Sequence, residues 1–345
     1  AASGQTRCPG ARGCALKVLL VKLSSLGDVV HSLAAAMDIQ SSVPGVSIDW
    51  VVEEGFAPLL AACPAVHQVI PCRLRAWRKR WWTQETRDEL RTFETQLQSQ
   101  NYDAVIDLQG LTKSAWVSLK ARLNPGGRRY AMANRTCGSS YEAPTRWVAD
   151  VTIPCPWDSH AVQRARHVCS LALGYSLPAV MPSSLQITAD VSVKPKTVAL
   201  VHGTSRLDKA WPLSDWLTLA ARLSEEGFAL ALPQADAQEQ AIAEHIASRV
   251  QGATVWPKVD VSALLARLYA CEGVIGVDSG PSHMAVALGL PHVQIYNFDT
   301  AWRTGPFGCD WQRSVFDKHS PSIDSVWQTW QICWQSWQHQ RSPRS

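Results

Sequence analysis

The sequence predicts an α/β protein built from two successive doubly wound domains. Three observations carry this: strand-like apolar runs alternate with helical patterns, a Pro- and Ser-rich stretch interrupts them near the middle, and 345 residues exceed what one core usually supports. The run KVLLVKL (17–23) is almost continuously apolar, as expected of a parallel strand covered on both faces. After the loop SSLGD, Val29, Leu33, Ala36 and Met37 recur at helical spacing. Further strands are expected at IDWVVE (48–53), HQVI (67–70) and DAVIDLQ (103–109), with a long polar helical pattern from about Trp77 to Gln100 among them. Beyond the connection at 178–195, strands are expected at TVALVH (197–202), FALAL (228–232), ATVW (253–256), GVIGVD (273–278) and HVQIY (292–296), with a helix after each of the first four. This divides the chain into a disordered or non-native tail without periodicity (1–15), a first domain (16–185), a second domain (186–320), and a terminal amphipathic helix and tail (321–345). Ligands of such sheets bind beyond the carboxyl ends of the strands, so two facing domains form a cleft lined by the loops after Leu23, His202 and Asp278.

Composition narrows the class of function. Apolar residues make up 46% and charged residues 18%, which excludes a disordered or collagen-like chain. A net charge of +4 is too small to argue for a nucleic-acid partner, so an anionic partner must be met by a local cluster. The ten cysteines show neither a CxxC pair nor interleaved histidines, which points to free thiols in a reducing compartment rather than zinc or a disulfide framework. No apolar run reaches the roughly 18 residues of a membrane span, and the chain reads as cytoplasmic.

Five constellations could carry chemistry. Asp28 closes the loop after the first strand and is a candidate base; an Asp in the first turn of a helix is equally well explained as a dipole partner. Gly27, which permits close backbone approach, and His31, one turn on, favour the functional reading. In HGTSRLDKAWP (202–212), Thr204 and Ser205 offer hydroxyls and amides and Lys209 a mobile point charge suited to phosphate; a solvated loop before a helix capped by Ser214 explains the segment as well. In DSGPSH (278–283), Ser279 or Gly280 caps a helix and Pro281 suits its first turn, leaving free amides where a diphosphate binds readily, with His283 aimed at the same place. Arg73, Arg75, Arg78, Lys79 and Arg80, interleaved with Trp77, Trp81 and Trp82, form a field for an anionic partner; single-stranded nucleic acid and a membrane surface both suit the aromatic interleaving. Last, Trp327, Trp330, Trp334 and Trp337 share one helix face, a stripe that a terminal helix laid across both domains would bury in a core.

The blocks VKLSSLGDVVHSLAA, IDWVVEEGFAPLL, VIPCRLRAWRKRWW, LQGLTKSA, HGTSRLDKAWP and GVDSGPSHMAVALGLP, in this order, resemble the lipopolysaccharide heptosyltransferases of glycosyltransferase family 9 over about residues 17–291. The resemblance implies a GT-B fold, two Rossmann-like domains facing a cleft, with no metal and no cofactor. It implies inverting transfer of heptose from ADP-L-glycero-β-D-manno-heptose to the Kdo region of Kdo2-lipid A. Asp28 matches the family's general base. Thr204, Ser205, Lys209, Glu239, Val259, Asp278, Ser279, Gly280 and His283 match its donor-binding positions, and Arg75, Arg78 and Lys79 its acceptor side. It also implies a peripheral place on the cytoplasmic face of the inner membrane. The WVVEE and RAWRK blocks favour the enzyme that adds the first heptose over the one that adds the second. A degenerate protein that binds an ADP-sugar or anionic glycan is the alternative from another class. A dehydrogenase is disfavoured, because the first strand leads to SSLGD and not to GxGxxG.

Three stretches depart from the family. Tyr141-Glu142-Ala143-Pro144 replaces Arg-Glu-Pro and leaves one acceptor-binding Arg unmatched, with Arg135 and Arg146 as candidate replacements. Asn297-Phe298-Asp299 replaces Gly-Pro-Thr, and the tail beyond is unlike the family.

Overall fold

The computed structural model describes residues 15–180, 183–187, 196–204 and 206–341. In the first half, β1 (Lys17–Val21), α1 (Leu26–Ser42), β2 (Ser47–Glu53), α2 (Ala57–Ala61), β3 (Gln68–Cys72), α3 (Leu74–Lys79), α4 (Gln84–Leu97), β4 (Asn101–Asp107), α5 (Thr112–Lys120), β5 (Arg122–Met132), β6 (Val151–Ile153) and α6 (Ala161–Leu173) follow one another. The second half comprises β7 (Thr197–Val201), α7 (Leu213–Glu225), β8 (Ala229–Leu232), α8 (Ala237–Ala247), β9 (Ala253–Val255), α9 (Val261–Tyr269), β10 (Gly273–Val277), α10 (Gly280–Ala287), β11 (His292–Tyr296), α11 (Ala301–Thr304), β12 (Gln312–Phe316) and α12 (Ile323–Arg341).

The strands form two six-stranded sheets, ordered β3-β2-β1-β4-β5-β6 and β12-β11-β10-β7-β8-β9, and every pairing is parallel. Both follow the doubly wound order, so each sheet has its switch point between its first and fourth strands: β1/β4 and β7/β10. The central strands are buried because they are covered on both sides. Val18, Leu19, Leu20 and Val21 are all inaccessible, and burial of each contributes about 1.5–3 kcal/mol.

The structure bears out the expected strands and adds three. β5, with its Pro, two Gly and three Arg, and the short β6 lack the apolar run that marks a buried strand. β12 is an edge strand with the polar sequence QRSVF. The long helical pattern after Trp77 is two helices: the chain breaks at Arg80, and Thr83 restarts it by accepting the Thr86 amide at 3.2 Å. Ser214 is not the cap of α7; Pro212 holds that position and Ser214 lies in the first turn. Helix α12 buries its tryptophan stripe as expected, but against the second sheet and not across both domains. Trp330 is 1% exposed and stacks on Trp334, and Phe228 meets both rings edge-on.

The two sheets share an apolar seam in which α1 and α2 of the first half pack on α10 and α9 of the second. Two glycines set how closely its rims approach. A Cβ on Gly27 would lie 2.8 Å from His283 Cδ2, and one on Gly280 would lie 2.6 Å from Leu26 Cδ2. No helix of the described residues is long and apolar enough to cross a membrane.

Candidate active site

The end of β1 is clamped from β4. The Gln109 side-chain oxygen accepts from the amides of Leu23 and Ser24, each at 3.1 Å, and Lys22 Nζ donates to the Leu108 carbonyl at 3.1 Å. Asp107 fixes this turn from below by accepting from the Gln109 and Gly110 amides and the Ser114 hydroxyl. The chain then enters α1 with Ser25 as its cap, and Asp28 Oδ2 accepts from the Ser25 amide at 3.1 Å and the Ser25 hydroxyl at 3.0 Å. The dipole partner and the candidate base are thus one carboxylate. Burial pushes the Asp28 carboxyl up, but Lys22, the Ser25 amide, His31 and the Ser25 hydroxyl outweigh it and hold it at about 2. Asp28 is therefore ionised at neutral pH.

Asp28 borders a cavity of about 210 Å³, whose wall also includes Lys22, Gln109, Arg164, Arg303 and Thr304. Burial pushes Lys22 and Arg164 down from their ordinary values, and Arg303 adds to the effect on Arg164. Cations crowd this space. Arg164 and Arg303 were not found by sequence reasoning; their only signal is that each is charged and lies near the amino end or within a helix packed at the seam.

Across the seam, α10 points its amino end, with Ser279 as cap, at the start of α1. Asp278 precedes it at the carboxyl end of β10. One Asp278 oxygen accepts from Lys209 Nζ at 2.6 Å and the other lies 3.1 Å from His283 Nε2. Burial pushes the Asp278 carboxyl up, yet His283 and Lys209 draw it well below the carboxylate range. Nδ1 of His283 in turn lies 3.2 Å from Nε2 of His31 and 3.4 Å from Nε2 of Gln294. The two rings thus meet nitrogen to nitrogen, and the tautomers set which of them donates. Burial and the neighbouring His283 drive the His31 imidazole well below its usual value, so it is neutral at pH 7. A polar chain, Lys209–Asp278–His283–His31, thereby links the two halves. His160 Nε2, 2.9 Å from the Gly305 carbonyl, is a second tie between them.

The sequence of Glycosyltransferase family 9 (heptosyltransferase) matches residues 90–324, most of the chain. The chain belongs to this family. Lipopolysaccharide heptosyltransferase 1 of Pseudomonas aeruginosa is 35% identical over 302 residues, which cover 85% of this chain and 82% of that protein. The protein of the same name from Escherichia coli K12 is 34% identical over 300 residues, covering 85% and 91%. Among solved structures, E. coli heptosyltransferase WaaC with ADP superposes with a TM-score of 0.81 at 30% identity, covering 92% of this chain and all of that one. The same enzyme with ADP-2-deoxy-2-fluoro heptose gives 0.77 at 31% identity, covering 91% and 98%. The GT-B arrangement expected from the sequence is thus the fold of this glycosyltransferase.

In this family 9 member, Thr204, Lys209, Asp278, Ser279, Gly280 and His283 all lie in loops or helix starts beyond the carboxyl ends of β7 and β10. Glu239 sits in the first turn of α8; its carboxylate accepts the Ala235 amide at 2.7 Å and lies so close over Gly203 that a Cβ there would meet it at 2.2 Å. Val259 is in the loop between β9 and α9. Ser205 lies outside the described residues. Two expectations meet a different arrangement: Lys209 is ion-paired and not a free point charge, and His283 faces the other half through His31. Arg75, Arg78 and Lys79 stand exposed on α3, beyond the edge strand β3, and do not line the Asp28 cavity. Arg135 and Arg146, the candidate replacements for the unmatched acceptor Arg, are also exposed and outside that cavity.

Proposed function

We propose that this family 9 enzyme transfers L-glycero-D-manno-heptose with inversion from ADP-heptose to a Kdo hydroxyl of Kdo2-lipid A, with Asp28 as the general base. The observation that carries the reading is an ionised carboxylate in a cation-lined cavity at the start of α1, the helix whose first residues Leu26 and Gly27 pack against the amino end of α10 across the seam. The relatives' names and the ligands of the solved neighbours support the substrate class.

Asp28 accepts the proton of the Kdo hydroxyl as that oxygen attacks the anomeric carbon from the face opposite ADP. A carboxylate held at about 2 is a weak base while Lys22 stands beside it. An anionic acceptor offsets Lys22 and Arg164 and so raises the proton affinity of Asp28 when the substrate arrives. Charge gathering on the leaving diphosphate is met by the free amides of α10 at Ser279 and Gly280 and by Thr204. Lys209 joins them by exchanging Asp278 for phosphate, while Glu239, Val259 and Asp278 border the nucleoside and sugar. Ser205 completes the set through its family position.

Arg75, Arg78 and Lys79 meet the phosphates and carboxylates of the acceptor at the cytoplasmic face of the inner membrane. Trp81 and Trp82 beside them are 69% and 60% exposed. Each cation near an anionic bilayer contributes about 1 kcal/mol, so charge reversal at Arg78 and Lys79 should release the enzyme from anionic vesicles; cosedimentation indifferent to that change overturns the membrane contact.

Mass spectrometry of deacylated Kdo2-lipid A incubated with ADP-heptose should show a gain of one heptose. An acceptor that already carries the first heptose separates the two transferases of the core. ADP binding without any turnover on either acceptor would leave the degenerate-protein reading standing.

A further inference from the structure

We infer that Arg303, brought from the donor-binding half, is the acceptor-positioning arginine missing from the segment at Tyr141, and that it holds an acceptor carboxylate over Asp28. This rests on the proposed acceptor class and goes beyond it by assigning a residue that the family motifs do not mark.

The wall of the Asp28 cavity carries three cations, Lys22, Arg164 and Arg303, against one carboxylate. Lys22 donates to a carbonyl and Arg164 Nη1 to the Thr136 hydroxyl at 2.9 Å, and among the described residues neither meets a carboxylate at hydrogen-bond distance. Among the described residues, Arg303 Nε is buried with no hydrogen-bond partner and no carboxylate pairs with its guanidinium. Such a grouping is unfavourable unless an anion enters. The opposite wall makes room for Arg303 in particular: Gly138 has φ +65°, and a Cβ there would lie 1.3 Å from Arg303 Nη1. Gly138 belongs to the loop after β5 in the first half, and Arg303 to α11 in the second. The guanidinium therefore crosses the seam to reach the cavity.

A planar guanidinium with free donors suits a carboxylate better than it suits a hydroxyl. Because Arg303 and Asp28 belong to opposite halves, a carboxylate bound to Arg303 would also hold the cleft shut around the base. Acceptor recognition and assembly of the site would then be one event.

The test measures KM for both substrates with wild type and Arg303→Ala, using Kdo2-lipid A head group with native carboxylates and with carboxylates converted to methyl amides. Wild type should lose about 10- to 100-fold in kcat/KM when the carboxylates are neutralised. Arg303→Ala should start from a similarly raised acceptor KM, keep donor KM within about twofold, and lose at least several-fold less than wild type does on the neutralisation, Arg75, Arg78 and Lys79 accounting for what loss remains. Arg303→Lys should recover part of the loss only with the native acceptor. If wild type ignores neutralisation, or if Arg303→Ala raises donor KM and leaves acceptor KM alone, the assignment is wrong. The wild-type comparison needs no variant to fold. Absence of transfer by wild type to the native acceptor would instead overturn the proposed acceptor class, and with it the ground for this assignment.

Discussion

Asp28 and Asp278 stand on opposite sides of the switch point in two copies of one topology, Asp28 after the first strand of its sheet and Asp278 after the fourth strand of the other. Each follows a buried central strand at a sheet's switch point and stands at the amino end of a helix that faces the other domain. Their partners differ. Asp278 has both oxygens engaged, by Lys209 and by His283, and acts as a strut in a chain that ends at His31. Asp28 is held on one oxygen by its own helix cap and borders a cavity whose wall carries Lys22, Arg164 and Arg303. Position supplies a carboxylate at a cleft; what touches it decides whether it is left facing a cavity or is tied into a chain across the seam.

The sharpest way to break this comparison is to neutralise each carboxylate in turn. Asp28→Asn should lower kcat by about 10²- to 10⁴-fold while donor affinity and Tm stay close to wild type. Full activity of that variant would remove Asp28 from the chemistry. Asp278→Asn should mainly cost stability, about 3 kcal/mol in urea unfolding, because Lys209 and His283 lose a largely buried partner. A variant as stable as wild type would show that the strut carries no load.

The histidines at the seam give a smaller, pH-dependent effect. Burial, together with His283 and Arg164, lowers His160 to about 4 despite its bond to the Gly305 carbonyl. The unfolded chain then binds the proton more readily, so this stability is present above about pH 6.5 and is lost as pH falls towards 4. His160→Gln should flatten the fall of unfolding free energy between pH 6.5 and 4 by about 2 kcal/mol. An unchanged slope would place the acid sensitivity elsewhere, with His31 the next group to test.

The smallest change probes the seam itself. Gly27→Ala places a methyl 2.8 Å from the His283 ring, which must shift and lengthen the His31–His283 contact. About a tenfold loss of kcat/KM for the acceptor is expected, with ADP affinity within about twofold, as measured by titration calorimetry. A parallel loss of ADP binding would mean that the methyl disturbs the second domain and not the closure.

Much of the fold was legible because buried parallel strands announce themselves as apolar runs, and β1, β4, β7, β10 and β11 each do so. β5, β6 and β12 were not, since their sequences are polar or interrupted and their place is set by pairing with neighbours. The site was legible where chemistry lies in one short segment, as at Ser25–Asp28 or Asp278–His283. Arg164 and Arg303 carry no such local mark.

From the sequence alone came the two sheets, the loops that bear Asp28, Thr204, Lys209 and Asp278, and the family that those segments resemble. Periodicity and short motifs encode these locally. Only the tertiary structure decided that Lys209 pairs with Asp278, that His31 meets His283 across 252 residues of chain, and that Arg303 passes Gly138 to line the cavity that Asp28 borders. Burial and domain approach create those contacts, and no window of sequence contains both partners.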